Sequence, residues 1–271
     1  MNFSVLLSVY ALESALYLEQ ALNSIWHEQS LKPNEIILVK DGPVTNELNK
    51  VINKYQSELG DVLKIISLDE NKGLAYALNV GLKYCSCPYI ARMDTDDIST
   101  KDRFLKQITF LINNPDIDVV GCAISEIDEN NVVIKDCVQY PLTHQDLYQF
   151  FSKRDPLAHP TAVFRHTFFE KVGKYREDVP LAEDTLLWYE AFKSNCKFAN
   201  IPDIGLLFRR TDAFYKRRSN WNKSRSLLKF RLLYINRDLD YGIIADLYAL
   251  AYFCLSFMPS IVKKFLYRFL R

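Results

Sequence analysis

At 271 residues, 49% of them hydrophobic and 25% charged, the chain can bury a large core, and its composition excludes intrinsic disorder. Its net charge of +1 hides an asymmetry: from Arg209 onward 14 Lys and Arg face four Asp, a net of +10, which leaves residues 1–208 at −9. Six cysteines without CxxC spacing and four scattered histidines exclude a disulfide framework and structural zinc and fit reduced cytosolic thiols, and the start of the chain lacks the pattern of a secretory signal.

Phe3 to Tyr10 is apolar enough for a strand buried on both faces, and Glu13 to Gln29 follows with helical spacing at Leu16, Ala21, Leu22 and Ile25. Glu35 to Val39 repeats the strand signal and stops at Lys40-Asp41-Gly42-Pro43. Thr45 then caps a helix with Leu48, Val51, Ile52 and Tyr55 on one side. Leu63 to Leu68 is a third strand, Asn71-Lys72-Gly73 a turn, and Leu74, Ala77, Leu78 and Leu82 mark a third helix. Strand and helix alternating in this way predict a doubly wound, mostly parallel sheet, whose ligands bind outside the carboxyl ends of the strands. Ser8 and Tyr10, Asp41, and Asn71 to Gly73 all lie at such ends.

Pro88 opens a fourth strand, Tyr89 to Arg92, that runs into Asp94, Asp96 and Asp97. Like charges this close repel, so the cluster calls for a cation or free access to water. If the strand continues through the motif, Asp94 and Asp96 project to one side and Thr95 to the other. Such a pair suits Mg²⁺ or Mn²⁺, whose shell substrate phosphates and water complete. The plainer alternative is an acidic turn in which Asp97 or Ser99 caps a helix starting near Lys101.

After that helix, which ends at Asn113, Asp118 to Ile127 and Val132 to Val138 flank Asp128 to Asn131 as a hairpin, and His159 to Phe164 reads as a strand. Pro180 to Glu183 is a loop and Asp184 to Asn195 a helix. We expect residues 1–114 and 115–210 to form two halves of one domain, with 211–271 as a basic helical extension. Leu247 to Met258 is apolar but too short to span a bilayer. Beyond Pro259, Ile261, Val262, Phe265, Leu266, Phe269 and Leu270 share a helical face opposite Lys263, Lys264, Arg268 and Arg271. Interleaved aromatic and basic residues in the extension suit RNA, but this last pattern favours an anionic membrane surface over nucleic acid. An amphipathic helix packed on its own domain gives the same pattern.

Five ordered pieces, Ser8-Val9-Tyr10, Lys40-Asp41-Gly42, Asn71-x-Gly73 continuing to Asn79-x-Gly81, Asp94-x-Asp96-Asp97 and Glu183-Asp184, together resemble the family 2 glycosyltransferases. These are nucleotide-sugar enzymes of the GT-A fold, here of the inverting, bacterial surface-polysaccharide type that builds O-antigen or capsule. The resemblance implies that Ser8, Val9, Tyr10 and Asp41 hold a nucleotide base, with uracil preferred, and that Lys72, Gly73, Asn79, Arg92 and Asp94 contribute to the nucleotide site. It implies that Asp96, with Asp94, holds Mn²⁺ or Mg²⁺, that Asp184 is the general base, and that Glu183 and His159 lie on the acceptor side. The implied partners are a nucleotide-sugar donor, a lipid-linked saccharide and an anionic membrane, with the protein peripheral on the cytoplasmic face.

Each residue also has a plainer reading. Tyr10 can be a packed aromatic, Asp41 a turn residue, Lys72 and Arg92 structural or solvated, Glu183-Asp184 a helix start and His159 a locally bonded strand end. Two departures from the family pattern stand out, Ala11 where an Asn is usual and Lys40 in place of one of two paired aspartates. A haloacid-dehalogenase-type phosphotransferase would carry Asp-x-Asp on its first strand, an EF-hand would need Gly at Ser99 and an acid at Leu105, and GxGxxG is absent. The remaining alternative is a membrane-attached, metal-dependent nucleotide-binding protein without catalysis.

Overall fold

The computed structural model describes residues 1–179, 182–211 and 221–257. The first half alternates as expected. Strand β1 (Phe3–Val9) leads to helix α1 (Ala15–Trp26), β2 (Glu35–Lys40) to α2 (Asn46–Leu59), β3 (Leu63–Ser67) to α3 (Leu74–Leu82), and then comes β4 (Tyr89–Arg92). Thr45 caps α2 by accepting the Leu48 amide at 3.3 Å, as its position predicts. The second half contains β5 (Ile98–Ser99), α4 (Arg103–Asn113), β6 (Val119–Ile127), β7 (Val133–Val138), α5 (His144–Phe151), β8 (Val163–Arg165), α6 (His166–Val172), α7 (Glu183–Lys193) and β9 (Phe198–Arg209).

All these strands join one sheet in the order β3-β2-β1-β4-β8-β6-β9-β5, with β7 paired to β6 as the hairpin partner. The first four strands are parallel. The order reverses at β1, which makes the carboxyl ends of β1 and β4 the topological switch point where ligands of such sheets bind. Strand β8 then enters antiparallel to β4, with Ala91 opposite Val163. Its direction places the start of β8, and the turn before it, beside the end of β4.

The period-two alternation of β1 divides the core. Phe3, Val5, Leu7 and Val9 pack with α1, α2 and α4 on one face, while Leu6 joins α3, α5, α6 and α7 on the other. On the second face α3 sits close to the sheet at Gly81, where a Cβ would lie 2.3 Å from Leu6 Cδ1.

Beyond β9, helix α8 (Trp221–Phe230) passes into a π-helical turn at Arg231–Ile235, and α9 (Gly242–Ser256) follows. Arg231 donates to the Phe151 carbonyl at 3.0 Å, Tyr148 to the Leu239 carbonyl at 2.7 Å and Tyr241 to the Tyr148 carbonyl at 2.6 Å. These bonds seat the extension on α5. No helix among the described residues is long and apolar enough to cross a membrane, and the expected helix over 259–271 lies outside them.

Two expectations need correction. His159–Thr161 is a 3₁₀ turn rather than strand, because Pro160 cannot donate to a ladder and only Val163–Arg165 pairs. The fourth strand stops at Arg92 instead of running through the acidic motif, so the carboxylates lie on a turn between β4 and β5.

Candidate active site

The acidic turn is the centre of the site. Carboxylate oxygens of Asp94, Asp96 and Asp97 lie within 4.8 Å of one another. Thr95 points away, buried, and its hydroxyl donates to the Ser8 carbonyl at 3.3 Å, which ties the turn to the end of β1. Neither Asp97 nor Ser99 caps α4, whose first flanking residue is Asp102. Asp97 is 1% exposed; its Oδ1 accepts the Arg209 amide at 2.8 Å, and its Oδ2 has no hydrogen-bond partner. Burial, reinforced by the charges of Asp96 and Asp94, pushes the Asp97 carboxyl well above the usual range. Three crowded carboxylates, one carrying a bare buried oxygen, form an oxygen-only donor set that fits a hard divalent cation.

Two buried arginines hold this turn from either side. Arg103 donates to the carbonyls of Arg92 at 2.8 Å and Pro160 at 2.7 Å, which fixes the end of β4 against the His159–Thr161 turn. Burial lowers its pKa to about 10. Arg209 donates from Nε to the Asp96 carbonyl at 2.8 Å. No local sequence signal marks Arg103, and Arg209 stands in the sequence only at the head of the basic extension.

The base-side residues form a second cluster. Ser8 and Tyr10 are half-buried at the end of β1, and Val9 is buried in the sheet. Asp41, 4% exposed, accepts the amides of Lys72 at 2.8 Å and Gly73 at 2.9 Å, one on each carboxylate oxygen. Gly42, at φ +83°, lets the two loops touch, since a Cβ there would stand 2.6 Å from the Asn71 nitrogen. Lys72 stays exposed, with its ammonium 3.4 Å from Glu70 and over the Tyr76 ring.

Three of the expected site residues are buried and bonded within the protein. Arg92 is 1% exposed and ion-paired with Asp94. Burial opposes its charge, but the Asp94 carboxylate holds its pKa above the ordinary value. Asn79 is buried and spends its amide on the Tyr175 backbone and the Glu177 carboxylate, each bond at 2.8 Å. His159 is buried, with Nε2 2.9 Å from the Tyr175 hydroxyl. Burial, then the nearby Arg92 charge, holds its pKa far below the usual value, so the ring is neutral at pH 7.

Tyr175 feels the charges on both sides of this buried layer. Tyr175 contacts His159, and its hydroxyl pKa is raised by burial against the pull of Arg92, with smaller contributions from Glu183 and Asp184. Those two acids are half-buried in the first turn of α7, where the helix dipole favours negative charge. Ala182, not Asp184, is the N-cap, and the Asp184 carboxylate accepts the adjacent Thr185 amide at 2.8 Å. Thr185 itself donates to Asp155 at 2.9 Å, which anchors the helix start.

Residues 4–173 match the model of Glycosyl transferase family 2. The chain is 35% identical over 265 residues to the amylovoran biosynthesis glycosyltransferase AmsE of Erwinia amylovora, spanning 98% of this chain and 97% of that one. It is 31% identical over 275 residues to the Escherichia coli UDP-Gal:alpha-D-GlcNAc-diphosphoundecaprenol beta-1,3-galactosyltransferase, with 99% and 98% covered. Among solved structures, S. aureus TarS 1-349 in complex with UDP-GlcNAc superposes with a TM-score of 0.61 at 18% identity, covering 94% of this chain and 81% of that one. The mannosyltransferase from Pyrobaculum calidifontis in complex with GDP-Man and Mn²⁺ gives 0.61 at 18%, with 93% and 73% covered. The five motifs therefore sit on a GT-A fold, and the chain belongs to glycosyl transferase family 2.

Proposed function

We propose that this glycosyltransferase moves a sugar from a nucleoside-diphosphate donor, with UDP favoured, to a hydroxyl of a lipid-linked saccharide in surface-polysaccharide synthesis, inverting the anomeric centre. The observation that supports this reading is the convergence of the Asp94, Asp96 and Asp97 carboxylates on one turn at the carboxyl end of β4, with Glu183-Asp184 half-buried in the first turn of α7. Asp96 and Asp94 would hold Mn²⁺ or Mg²⁺, with the bare oxygen of Asp97 behind them. A cation bound there supplies Lewis acidity toward the diphosphate.

Ser8, Val9, Tyr10 and Asp41 receive the base. Each Asp41 oxygen keeps a second lone pair beyond the turn amide it accepts, which suits the ring N–H of uracil. Lys72 and Gly73 approach the diphosphate, while Arg92 and Asn79 act from behind by fixing Asp94 and the 175–177 segment. Asp184 takes the proton of the acceptor hydroxyl as its oxygen bonds the anomeric carbon, and the breaking bond leaves its electron pair on the diphosphate. Glu183 and the neutral His159 shape the acceptor side.

The Escherichia coli relative is named for a UDP-Gal donor and a diphosphoundecaprenol-linked acceptor, which supports this choice of substrates. A lipid-linked acceptor requires access to the membrane. Ile243, Ile244, Leu247 and Leu250 are exposed on α9, between 42% and 73%, and recur with helical spacing. That face would rest on the anionic cytoplasmic leaflet, with the protein peripheral to it.

The test is Asp184→Asn. We expect Mn²⁺-dependent UDP binding at the wild-type level and transfer reduced by about 10²-fold or more; near-normal turnover would remove Asp184 from the base role.

A further inference from the structure

Arg209 bonds the acidic turn twice and reaches from there to helix α1 and to the β6–β7 hairpin. Its amide donates to Asp97 Oδ1 at 2.8 Å and its Nε to the Asp96 carbonyl at 2.8 Å. Nη1 donates to the Asp128 carbonyl in the β6–β7 hairpin at 3.0 Å, and Nη2 to Gln20 Oε1 of α1 at 2.8 Å. The guanidinium lies 4.1 Å from the centre of the Tyr17 ring, and the Tyr17 hydroxyl bonds the Glu129 carbonyl at 3.2 Å. At 2% exposure, Arg209 is fixed on every side.

We propose that Arg209 is a positioning residue for the metal carboxylates, acting through the Asp96-Asp97 backbone. The inference rests on the reading of Asp94 and Asp96 as cation ligands. A turn of three mutually repelling carboxylates tends to spread, and this one lies between the ladder of β4 and that of β5, within neither. Besides the Thr95 bond to β1, the planar fork of arginine restrains the turn: one edge grips the Asp96 peptide while the other is anchored on α1 and the hairpin. Lysine cannot reproduce this, because a single ammonium cannot span the three acceptors in one plane. Groups that orient metal ligands without touching the metal typically change affinity by about 10- to 100-fold.

The experiment titrates the full chain with Mn²⁺ in the presence of UDP and follows the free-ion electron paramagnetic resonance signal. Arg209→Met keeps the apolar stem and the amide bond to Asp97 and removes every side-chain donor. Arg165→Met is the control, because its guanidinium is also bonded to carbonyls, those of Ile117, Leu111 and Asn114, but at the opposite end of β4. We expect Arg209→Met to weaken Mn²⁺ binding by about tenfold or more and Arg165→Met to leave it unchanged, whatever each does to the melting temperature. Arg209→Lys should remain weakened. If Arg209→Met does not fold, Gln20→Leu, which removes only the far anchor, carries the test and should weaken Mn²⁺ binding several-fold. Wild-type Mn²⁺ affinity in the variant that folds overturns the inference. Failure of the wild-type protein to bind Mn²⁺ with UDP instead overturns the assignment of the carboxylates, and the inference with it.

Discussion

Replacing Asp41 by Asn is a sharp probe of the nucleotide side, because the substitution preserves shape and changes only charge and donor count. In the native structure each carboxylate oxygen accepts one backbone amide, from Lys72 and Gly73, in a buried setting. The amide side chain keeps one acceptor and turns an NH₂ group toward the other N–H, so one charge-assisted bond is lost and two donors face each other. Bonds to charged acceptors contribute about 1.5–3 kcal/mol and a stranded buried donor costs about 1–3 kcal/mol; with partial relaxation we expect about 2–4 kcal/mol of destabilisation. For a chain of this size that corresponds to a melting point lower by roughly 5–15 °C. The same variant loses the acceptor proposed for the uracil ring, so calorimetry should show UDP binding weakened by about tenfold or more, with CDP affected less. An unchanged melting point would refute the clasp, and an unchanged ratio of UDP to CDP affinity would refute the contact with the base.

At the amino-terminal end of the sheet, burial would raise the pKa of Glu35, but bonds from Lys64, Ser4 and Ser86 bring it down to about 2 from 4.5. A depressed carboxylate stabilises above its unfolded pKa and loses that contribution as pH falls through the folded one, so about 3 kcal/mol present at pH 7 should be more than half lost by pH 3. Urea melts of the wild type and Glu35→Gln should therefore converge on acidification, and a gap that stays constant between pH 7 and pH 3 would contradict the assignment. On α9, Ile243→Asp combined with Leu247→Asp should move the protein from pelleted anionic vesicles to the supernatant; undiminished co-sedimentation would show that this face is not the contact.

The element order was legible in the sequence because burial imposes a period on side chains, and a period is a local property. The apolar runs from Phe3 to Tyr10 and Glu35 to Val39 and the helix cap at Thr45 each lie within one short window, and the structure has strands at Phe3–Val9 and Glu35–Lys40 and the cap at Thr45. The motif spacing likewise marked the family to which the chain belongs. What failed was the extension of periodicity past its limit: Asp94 and Asp96 lie close because a turn brings them together, not because a strand alternates through them.

Which polar groups are spent on bonds inside the protein was decided only by tertiary structure. Arg92 and Asn79 carry groups suited to a phosphate or a sugar, yet Asp94 and the Tyr175 backbone occupy them. Arg209 is one more basic residue until β9 pairs with β6 and carries it to Asp97, 112 positions away along the chain. Hydrogen-bonding capacity belongs to the side chain and can be read from its letter. The partner that saturates it is set by chain segments distant in sequence, and no local pattern encodes their meeting.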